Sequence, residues 1–255
     1  MTTGPVPILE LGAGPRPRHI AWDGRRIPIE GDDRPWLYLA KRAADGVIAG
    51  VALVVLSPLL LALSLLIRLT SDGPALFVQE RWGSRRRRLG GGAVAWEART
   101  FGCIKFRTMV NGADPEAHVR HVRAFVAGEL EAEEVQVSVK LADDGRITRL
   151  GGLLRTTCLD ELPQLINVLR GEMSLVGPRP VPLYEVQSYP GDWCLGRLGA
   201  LPGLTGTWQV NGRCGADFDE MIRMDLEYVR RPSLLRDLRV LCLTVPCVLA
   251  GRGAR

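Results

Sequence analysis

The most restrictive feature of the sequence is an uncharged, apolar stretch of 22 residues at positions 46–67. At about 1.5 Å per helical residue, it is long enough to cross a hydrocarbon core of about 30 Å. Ser57 and Pro58 interrupt it halfway, and the proline both lacks a backbone donor and crowds the carbonyl of Val54. We therefore expect a bent or broken helix, which has two possible courses: a kinked span, or a re-entrant hairpin whose ends return to one interface.

Basic residues flank this stretch on both sides. Lys41 and Arg42 precede it, and Arg68 follows it. Because basic residues favour the cytoplasmic side of a membrane, this symmetry agrees with two cytoplasmic ends. The residues alone leave both the hairpin and the kinked span open.

The first 36 residues form a proline-rich arm with six prolines and no apolar core of the kind that a secretory signal needs. We therefore expect no signal peptide. Within this arm, residues 19–27 are compatible either with a hairpin around Asp23-Gly24 or with a loosely ordered segment.

Short apolar runs follow the membrane stretch at positions 75–78 and 101–106, and they predict strands. Between them, Arg85–Arg88 is a run of four arginines next to three glycines, which is typical of a solvated loop. Contact of this run with lipid phosphates is the alternative. Residues 115–134 predict a polar helix.

The chain is basic, with 33 Lys and Arg against 28 Asp and Glu, and a net charge of +5 suits phosphates or an anionic membrane surface. The sequence has no zinc-finger or helix-turn-helix pattern and no aromatic residues interleaved with its basic residues, so we expect no nucleic-acid partner. Six cysteines without a CxxC pair, and only three histidines, argue against a structural zinc site or a Ser-His-Asp triad. Buried thiols in a reducing compartment are the expected alternative.

The segment 155–169 carries the strongest chemical signal. Its apolar residues recur with a helical period, which predicts a helix with a buried face and a polar face. Thr157 has the spacing of a capping box to Asp160, which places Asp160 and Glu161 near a helix start, although Pro163 favours a start slightly later than Thr157 because proline is tolerated in a first turn. There an ionised aspartate can attack phosphorus while a neighbouring glutamate holds a divalent cation. An Asp-Glu pair at a helix start can equally be stabilising charge.

Two further clusters contain candidate binding groups. Pro178 and Pro180 hold Arg179 stiffly, which suits a phosphate clamp and equally an ordinary exposed turn. The turn-rich segment 201–213 is typical of sugar or nucleotide sites and also of packed surface loops. The apolar tail 234–249 can lie on the membrane surface or pack in the core.

Several short motifs follow one another in a specific order along residues 39–251. They are Lys41-Arg42-Ala43-Ala44-Asp45, Ser57-Pro58, Gln79-Glu80-Arg81, Lys105-Phe106-Arg107-Thr108-Met109, Leu159-Asp160-Glu161-Leu162-Pro163-Gln164, Gly177-Pro178-Arg179-Pro180 and Pro202-Gly203-Leu204-Thr205-Gly206. In order and spacing they resemble the bacterial sugar transferases, monotopic phosphoglycosyl transferases that start exopolysaccharide synthesis. Cys158 departs from the serine common in that family, and the loop at 84–99 is longer and more basic than usual.

The expected fold is α+β and mainly helical, with a small strand element and surface amphipathic helices. The resemblance implies a re-entrant helix broken at Ser57-Pro58. It divides the chain into a soluble arm (1–38), a membrane hairpin (39–69) and a cytosolic catalytic domain (70–255) on the cytoplasmic face of the inner membrane. The implied reaction transfers a sugar-1-phosphate from a nucleoside-diphosphate sugar, at family level a UDP-hexose, to polyprenyl (undecaprenyl) phosphate and releases UMP.

The resemblance also implies a role for each site residue. Asp160 is the expected nucleophile and forms a covalent phosphosugar intermediate, and Asp160 and Glu161 are the expected Mg²⁺ ligands. The residues expected to hold or approach phosphate are Arg155, Arg179, Lys105, Arg107 and Gln164. Further expected partners are membrane lipid, a second copy of the chain and downstream glycosyltransferases.

Two other functions compete with this enzyme. A catalytically silent membrane scaffold would recruit glycosyltransferases, but it would not need to keep the acidic pair together with Arg155 and Arg179. A peripheral membrane-binding module would leave the motifs between Leu159 and Pro180 unexplained.

Overall fold

The computed structural model of the protein describes residues 18–29, 34–89, 94–114, 116–129, 145–211 and 217–249. The strands are β1 (Arg18–Trp22), β2 (Arg25–Ile29), β3 (Leu76–Arg88), β4 (Val94–Phe106), β5 (Ser174–Val176), β6 (Val181–Pro182) and β7 (Gly203–Thr205). The α-helices are α1 (Pro35–Thr70), α2 (Glu116–Ala127), α3 (Arg149–Thr156), α4 (Leu165–Arg170), α5 (Leu183–Gln187), α6 (Thr207–Asn211), α7 (Phe218–Arg230) and α8 (Leu234–Leu249). Two 3-10 helices span Leu159–Gln164 and Asp192–Gly199. This mixture of helices and sheet is consistent with the expected α+β class.

A five-stranded sheet in the order β2-β1-β4-β3-β6 contains most of the strand residues. β3 and β4 form a long antiparallel hairpin, and β1 runs parallel to β4. The β1–β2 hairpin turns at Asp23 and Gly24, whose φ angles of 46° and 70° are those a tight hairpin turn requires. The hairpin predicted as one alternative for the N-terminal arm is thus confirmed, and it belongs to the central sheet.

The run Arg85–Arg88 belongs to a strand, and its prediction as a loop is wrong. These residues end β3 and pair with residues 94–97 of β4. Arg87 forms an ion pair with Glu97 at 2.5 Å, and the Arg86 guanidinium lies 4.9 Å from the ring centroid of Tyr38. The cross-strand carboxylate and the aromatic ring come from other segments of the chain, so the local charge run could not reveal them.

α1 runs from Pro35 to Thr70 without interruption and is long and apolar enough to cross a membrane. Pro58 lies inside it, and the Ser57 hydroxyl donates a 2.7 Å hydrogen bond to the carbonyl of Val54. That carbonyl is the one whose usual helical donor is missing at the proline, so the serine supplies a replacement. Most apolar side chains of α1 are exposed, which is consistent with membrane association. The re-entrant course stays a prediction.

One side of α1 packs against the rest of the molecule along both halves of the helix. In the first half, Ala49 joins a buried cluster that includes Val168 of α4. In the second half, Leu63 and Ile67 pack with Phe106 of β4. Both halves of the apolar helix therefore contact the same domain.

The helix start predicted near Asp160 and Glu161 is confirmed, because both lie in the first turn of the 3-10 helix Leu159–Gln164, which α4 follows directly. A separate helix, α3, precedes it and ends at Thr156, and Cys158 between them adopts a left-handed conformation with a φ of 54°. The capping box predicted at Thr157 is wrong, because that hydroxyl donates back to the carbonyl of Leu153 at 2.8 Å. The chain direction changes at Cys158, and the periodicity of the apolar residues carries no sign of this change.

The tail helix α8 combines the two alternatives considered for it. Val240 is buried in the same cluster as Tyr228 of α7. Leu235 and Leu238, by contrast, are exposed. One face of the helix is therefore core, and the other presents an apolar surface.

Candidate active site

A cavity of about 180 Å³ brings together most of the residues predicted to do chemistry. Strands β3 and β4, the 3-10 helix Leu159–Gln164 and the turn before β6 contribute to its wall. The predicted site residues at this wall are Lys105, Arg155, Asp160, Glu161, Gln164 and Arg179. Two neighbouring carboxylates thus share one cavity with basic side chains, which suits the binding of a phosphate-bearing ligand next to a carboxylate nucleophile.

Arg107 does not line this cavity. Its guanidinium donates to the carbonyl and the hydroxyl of Ser71, at 2.8 and 2.9 Å, and to the carbonyl of Asp72. These acceptors lie directly after the C-terminal end of α1, where helix carbonyls lack intrahelical donors. The structure thus gives Arg107 the position of an anchor for the apolar helix, away from the other predicted phosphate-binding residues. Ser57 and Pro58 lie within α1, also outside the cavity.

Asn167 fastens the acidic segment to β4. Its fully buried side chain accepts a hydrogen bond from the backbone N–H of Ile104 at 3.0 Å and donates to the carbonyl of Gly102 at 2.8 Å. The amide also donates to the carboxylate of Glu172 at 2.7 Å. Strand β1 pairs with β4 only at residues 94–97, so the amide takes the place of a neighbouring strand here. This contact holds the segment that carries Asp160 against the strand that carries Lys105.

Asp160 itself is 5% exposed and lies in the first turn of the 3-10 helix. The pKa of Lys105 lies well below the usual lysine range, at about 8. Burial is the largest cause, the nearby charge of Arg81 acts in the same direction, and the charge of Asp160 opposes both. At neutral pH the ammonium group therefore keeps its proton, but with a small margin.

Arg81 is a fixed, buried cation at the cavity wall. Its guanidinium donates to the carbonyl of Pro180 at 2.6 Å and to Oε1 of Gln79 at 2.8 Å. Burial lowers its pKa from the ordinary arginine value, although an arginine keeps its charge over the physiological range. It therefore ties β3 to the Arg179 turn and adds positive charge to the cavity.

The turn that carries Arg179 is held by close backbone contacts to the segment before β7. The N–H of Gly203 donates to the carbonyl of Pro178 at 2.7 Å. A Cβ at Gly177 would lie 2.3 Å from the carbonyl oxygen of Leu201, so no larger residue fits without displacing the backbone. The two prolines predicted a stiff arginine, and this packing adds a second restraint on its position.

Several cavity residues had no predicted role. They include Gln79, Arg81, Asp114, His118 and Tyr184. Gly203, Leu204 and Gln209 also line the cavity, and they belong to the segment 201–213, for which a ligand site was one of the two predicted alternatives. Gln79 and Arg81 belong to the family motif Gln79-Glu80-Arg81, so the sequence carried a signal for them. His118 lies on the polar helix α2 and belongs to none of the family motifs. Burial, followed by the charges of Arg81 and Arg179, lowers the pKa of His118 to about 4, so its imidazole is neutral at pH 7.

Gln209 offers a hydrogen-bond acceptor to a ligand. Its side chain is buried at the cavity wall, and Oε1 has no hydrogen-bond partner among the described residues. A buried amide oxygen without a donor costs free energy, so a ligand N–H or O–H bound there would be favoured.

The donor set fits a magnesium ion that shares its ligands with a phosphate. Mg²⁺ in proteins is commonly held by one or two carboxylates together with substrate phosphates. Asp160 and Glu161 supply such carboxylates next to basic side chains. Within the part of the chain that the structure describes, no cluster of three or more acidic, histidine or cysteine ligands forms a closed cage.

The apolar helix is consistent with membrane association, and the cavity combines two carboxylates with several basic side chains. A family model described as bacterial sugar transferase matches residues 36–251. The chain belongs to the bacterial sugar transferase family, which confirms the resemblance seen in the motifs.

Named relatives agree with this membership. The chain is 40% identical over 230 residues to the exopolysaccharide production protein ExoY of Sinorhizobium fredii, an alignment that covers 89% of this chain and 94% of that protein. It is 37% identical over 216 residues to an undecaprenyl-phosphate galactose phosphotransferase of Salmonella typhimurium, covering 84% of this chain and 41% of that protein. It is 40% identical over 223 residues to a UDP-glucose:undecaprenyl-phosphate glucose-1-phosphate transferase of Caulobacter vibrioides, covering 85% and 72%.

Proposed function

We propose that the protein transfers a sugar-1-phosphate from a UDP-hexose to undecaprenyl phosphate, the first membrane step in building an exopolysaccharide. The observation that carries this proposal is the single cavity that gathers Asp160 and Glu161 with Lys105, Arg155 and Arg179. The names of two relatives supply the substrates, because each names transfer to undecaprenyl phosphate, of galactose in one case and of glucose in the other.

In the first step, a carboxylate oxygen of Asp160 attacks the sugar-bearing phosphorus of the donor. A bond forms between that oxygen and phosphorus while the bond from phosphorus to the nucleotide oxygen breaks, so UMP leaves. Lys105, Arg155 and Arg179 neutralise the diphosphate, because an anionic nucleophile is otherwise repelled by it. Low exposure of Asp160 keeps water from competing with the donor.

In the second step, an oxygen of the lipid phosphate attacks the same phosphorus. The bond between phosphorus and the Asp160 oxygen breaks, which restores the carboxylate and yields the polyprenyl-diphosphate sugar. Asp160 and Glu161 would hold Mg²⁺, and the ion would supply positive charge that neutralises the phosphates. The side chain of Gln209 is available to orient a hydroxyl or an N–H of the donor.

We further propose that α1 enters one leaflet and returns to the same face, with the domain on the cytoplasmic face of the inner membrane. The support lies in the two ends of the helix. Near one end, Lys41 donates to Asp237 at 2.7 Å, and at the other end Arg107 binds Ser71. A straight span would put these ends on opposite sides of the membrane, whereas here both are fastened to one domain. A second copy of the chain and downstream glycosyltransferases stay predicted partners.

The test is the release of UMP by the full chain in lipid nanodiscs, with Mg²⁺, undecaprenyl phosphate and a panel of UDP-sugars. We expect release with one donor, dependent on the lipid phosphate and lost in Asp160→Asn. The control is Asp219→Asn, an exposed aspartate on α7 that should keep full turnover. Turnover by Asp160→Asn would contradict the nucleophile assignment, and silence of the folded wild type across the panel would favour the scaffold.

A further inference from the structure

The first three residues of β3 form an unusual apolar edge. Leu76, Phe77 and Val78 are 41%, 45% and 59% exposed. Consecutive side chains of a strand point to opposite faces of the sheet, so exposure of all three leaves both faces uncovered. An exposed apolar strand edge of this kind is an aggregation hazard in water, which indicates that something apolar covers it.

Among the described residues, no second strand pairs with this edge of β3. β4 pairs with β3 along its full length, whereas β6 pairs only with Arg81 and Trp82, beyond the apolar residues. The partner of Leu76 in β4 is Phe106, which packs in the same cluster as Ile67 of α1. The apolar edge is therefore joined through Phe106 to the second half of α1.

The same edge leads directly into the cavity. Phe77 lines the cavity, and the Lys105 ammonium lies 5.3 Å from the centroid of its ring. Along this face of β3, Gln79 and Arg81 follow at alternate positions, and they line the cavity too. One face of a single strand thus passes from an apolar side chain to a buried cation.

We propose that residues 76–78 bind the first isoprenoid units of the lipid phosphate acceptor, with its phosphate on Lys105, the adjoining carbons on Phe77, and the next units passing over the strand edge onto Leu76 and Val78 on the other face. The occupant is an amphiphile, an anion joined to a long apolar chain, and the junction of the two matches the junction of cavity and edge. The exposed strand edge then gives the chain an apolar surface that leads into the cavity containing Asp160. This inference rests on the proposed function and assigns the acceptor subsite within it.

The test compares acceptors of different chain length with a double variant, Leu76→Ser with Val78→Ser. Phe77 stays unchanged because it contacts Lys105. We expect the KM for a long-chain isoprenyl phosphate to rise about tenfold, from the loss of two apolar contacts. The KM for the nucleotide sugar and the turnover with a short, water-soluble isoprenyl phosphate should stay at wild-type values. Val78→Thr preserves the side-chain shape, and a rise of about threefold is expected from it.

The control is Leu235→Ser, a 76% exposed leucine on α8. If Leu235→Ser raised the acceptor KM as much as the double variant does, residues 76–78 would be only a general membrane contact, and the inference would be overturned. A diazirine-bearing isoprenyl phosphate should label the peptide that contains residues 76–78, and labelling elsewhere alone would also overturn it. Inactivity of the wild type with every donor would refute the proposed function, whereas an active wild type with unchanged edge variants would refute only this acceptor site.

Discussion

Replacement of Asn167 by alanine removes the side chain that joins the acidic segment to β4. The change leaves the buried N–H of Ile104 and the part-buried carbonyl of Gly102 without their partner. Each unsatisfied buried backbone group costs about 1–3 kcal/mol, so the free energy of unfolding should fall by about 3 kcal/mol. At about 2–4 °C per kcal/mol for a chain of this size, the thermal midpoint should drop by about 6–12 °C.

The same variant should also lose activity at temperatures where it stays folded. Asp160 and Lys105 come from the two segments that Asn167 joins, and a small loss of alignment between reacting groups lowers turnover strongly. We expect kcat for UMP release to fall by about tenfold to a hundredfold. The measurements are thermal unfolding in nanodiscs and initial rates well below the midpoint.

The matched control is Asn211→Ala, because Asn211 is exposed at the end of α6. It should change the midpoint by no more than about 1 °C, since surface substitutions away from special contacts have small effects. An Asn167→Ala midpoint equal to that of this control would show that the amide bridge does not stabilise the site, and the reasoning above would then be wrong.

Three other predictions concern charge. Because the pKa of Lys105 is about 8, a rise in pH through that value removes a positive charge from the cavity, so the rate of UMP release at low donor concentration should fall. Lys105→Arg should move this fall to higher pH, because arginine keeps its charge. Identical pH profiles of the wild type and the variant would contradict this role of Lys105. Arg197→Met should lower the free energy of unfolding by about 3–5 kcal/mol in denaturant titrations, because it leaves the buried carboxylate of Asp225, which Arg197 contacts at 2.6 Å, without a partner charge. An unchanged denaturation midpoint would contradict a stabilising role of this ion pair. Asp45→Ala removes the acceptor for the Ser174 hydroxyl, at 2.6 Å, and should lower the thermal midpoint while flotation with vesicles stays complete; loss of flotation would mean that this bond is needed for membrane attachment.

Features that depend on neighbouring residues were predictable from the sequence. The apolar stretch at 46–67 predicted a membrane-associated helix because length and hydropathy are local properties. Asp23-Gly24 indicated a hairpin as one of two alternatives, because those two residues tolerate the left-handed conformations of its turn. The ordered motifs along residues 39–251, including the acidic pair Asp160-Glu161, were sufficient to identify the family.

Features that depend on distant segments were not predictable in this way. The strand conformation of Arg85–Arg88 depends on pairing with β4, and the position of Arg107 depends on where α1 ends. The left-handed turn at Cys158 has no signature in the apolar period, because that period reports burial and not chain direction.

The sequence by itself therefore determined the apolar helix, one end of each of the two central strands and the family to which the chain belongs, and it gave the N-terminal hairpin as one of two alternatives. Only the tertiary structure decided that Lys105 and the neutral His118 share a cavity with Asp160, that Arg107 holds the helix end, and that an apolar edge at 76–78 adjoins the cavity. The physical reason is that helical period, turn conformation and hydropathy are properties of adjacent residues. A cavity and its electrostatics arise instead from side chains that only folding brings together.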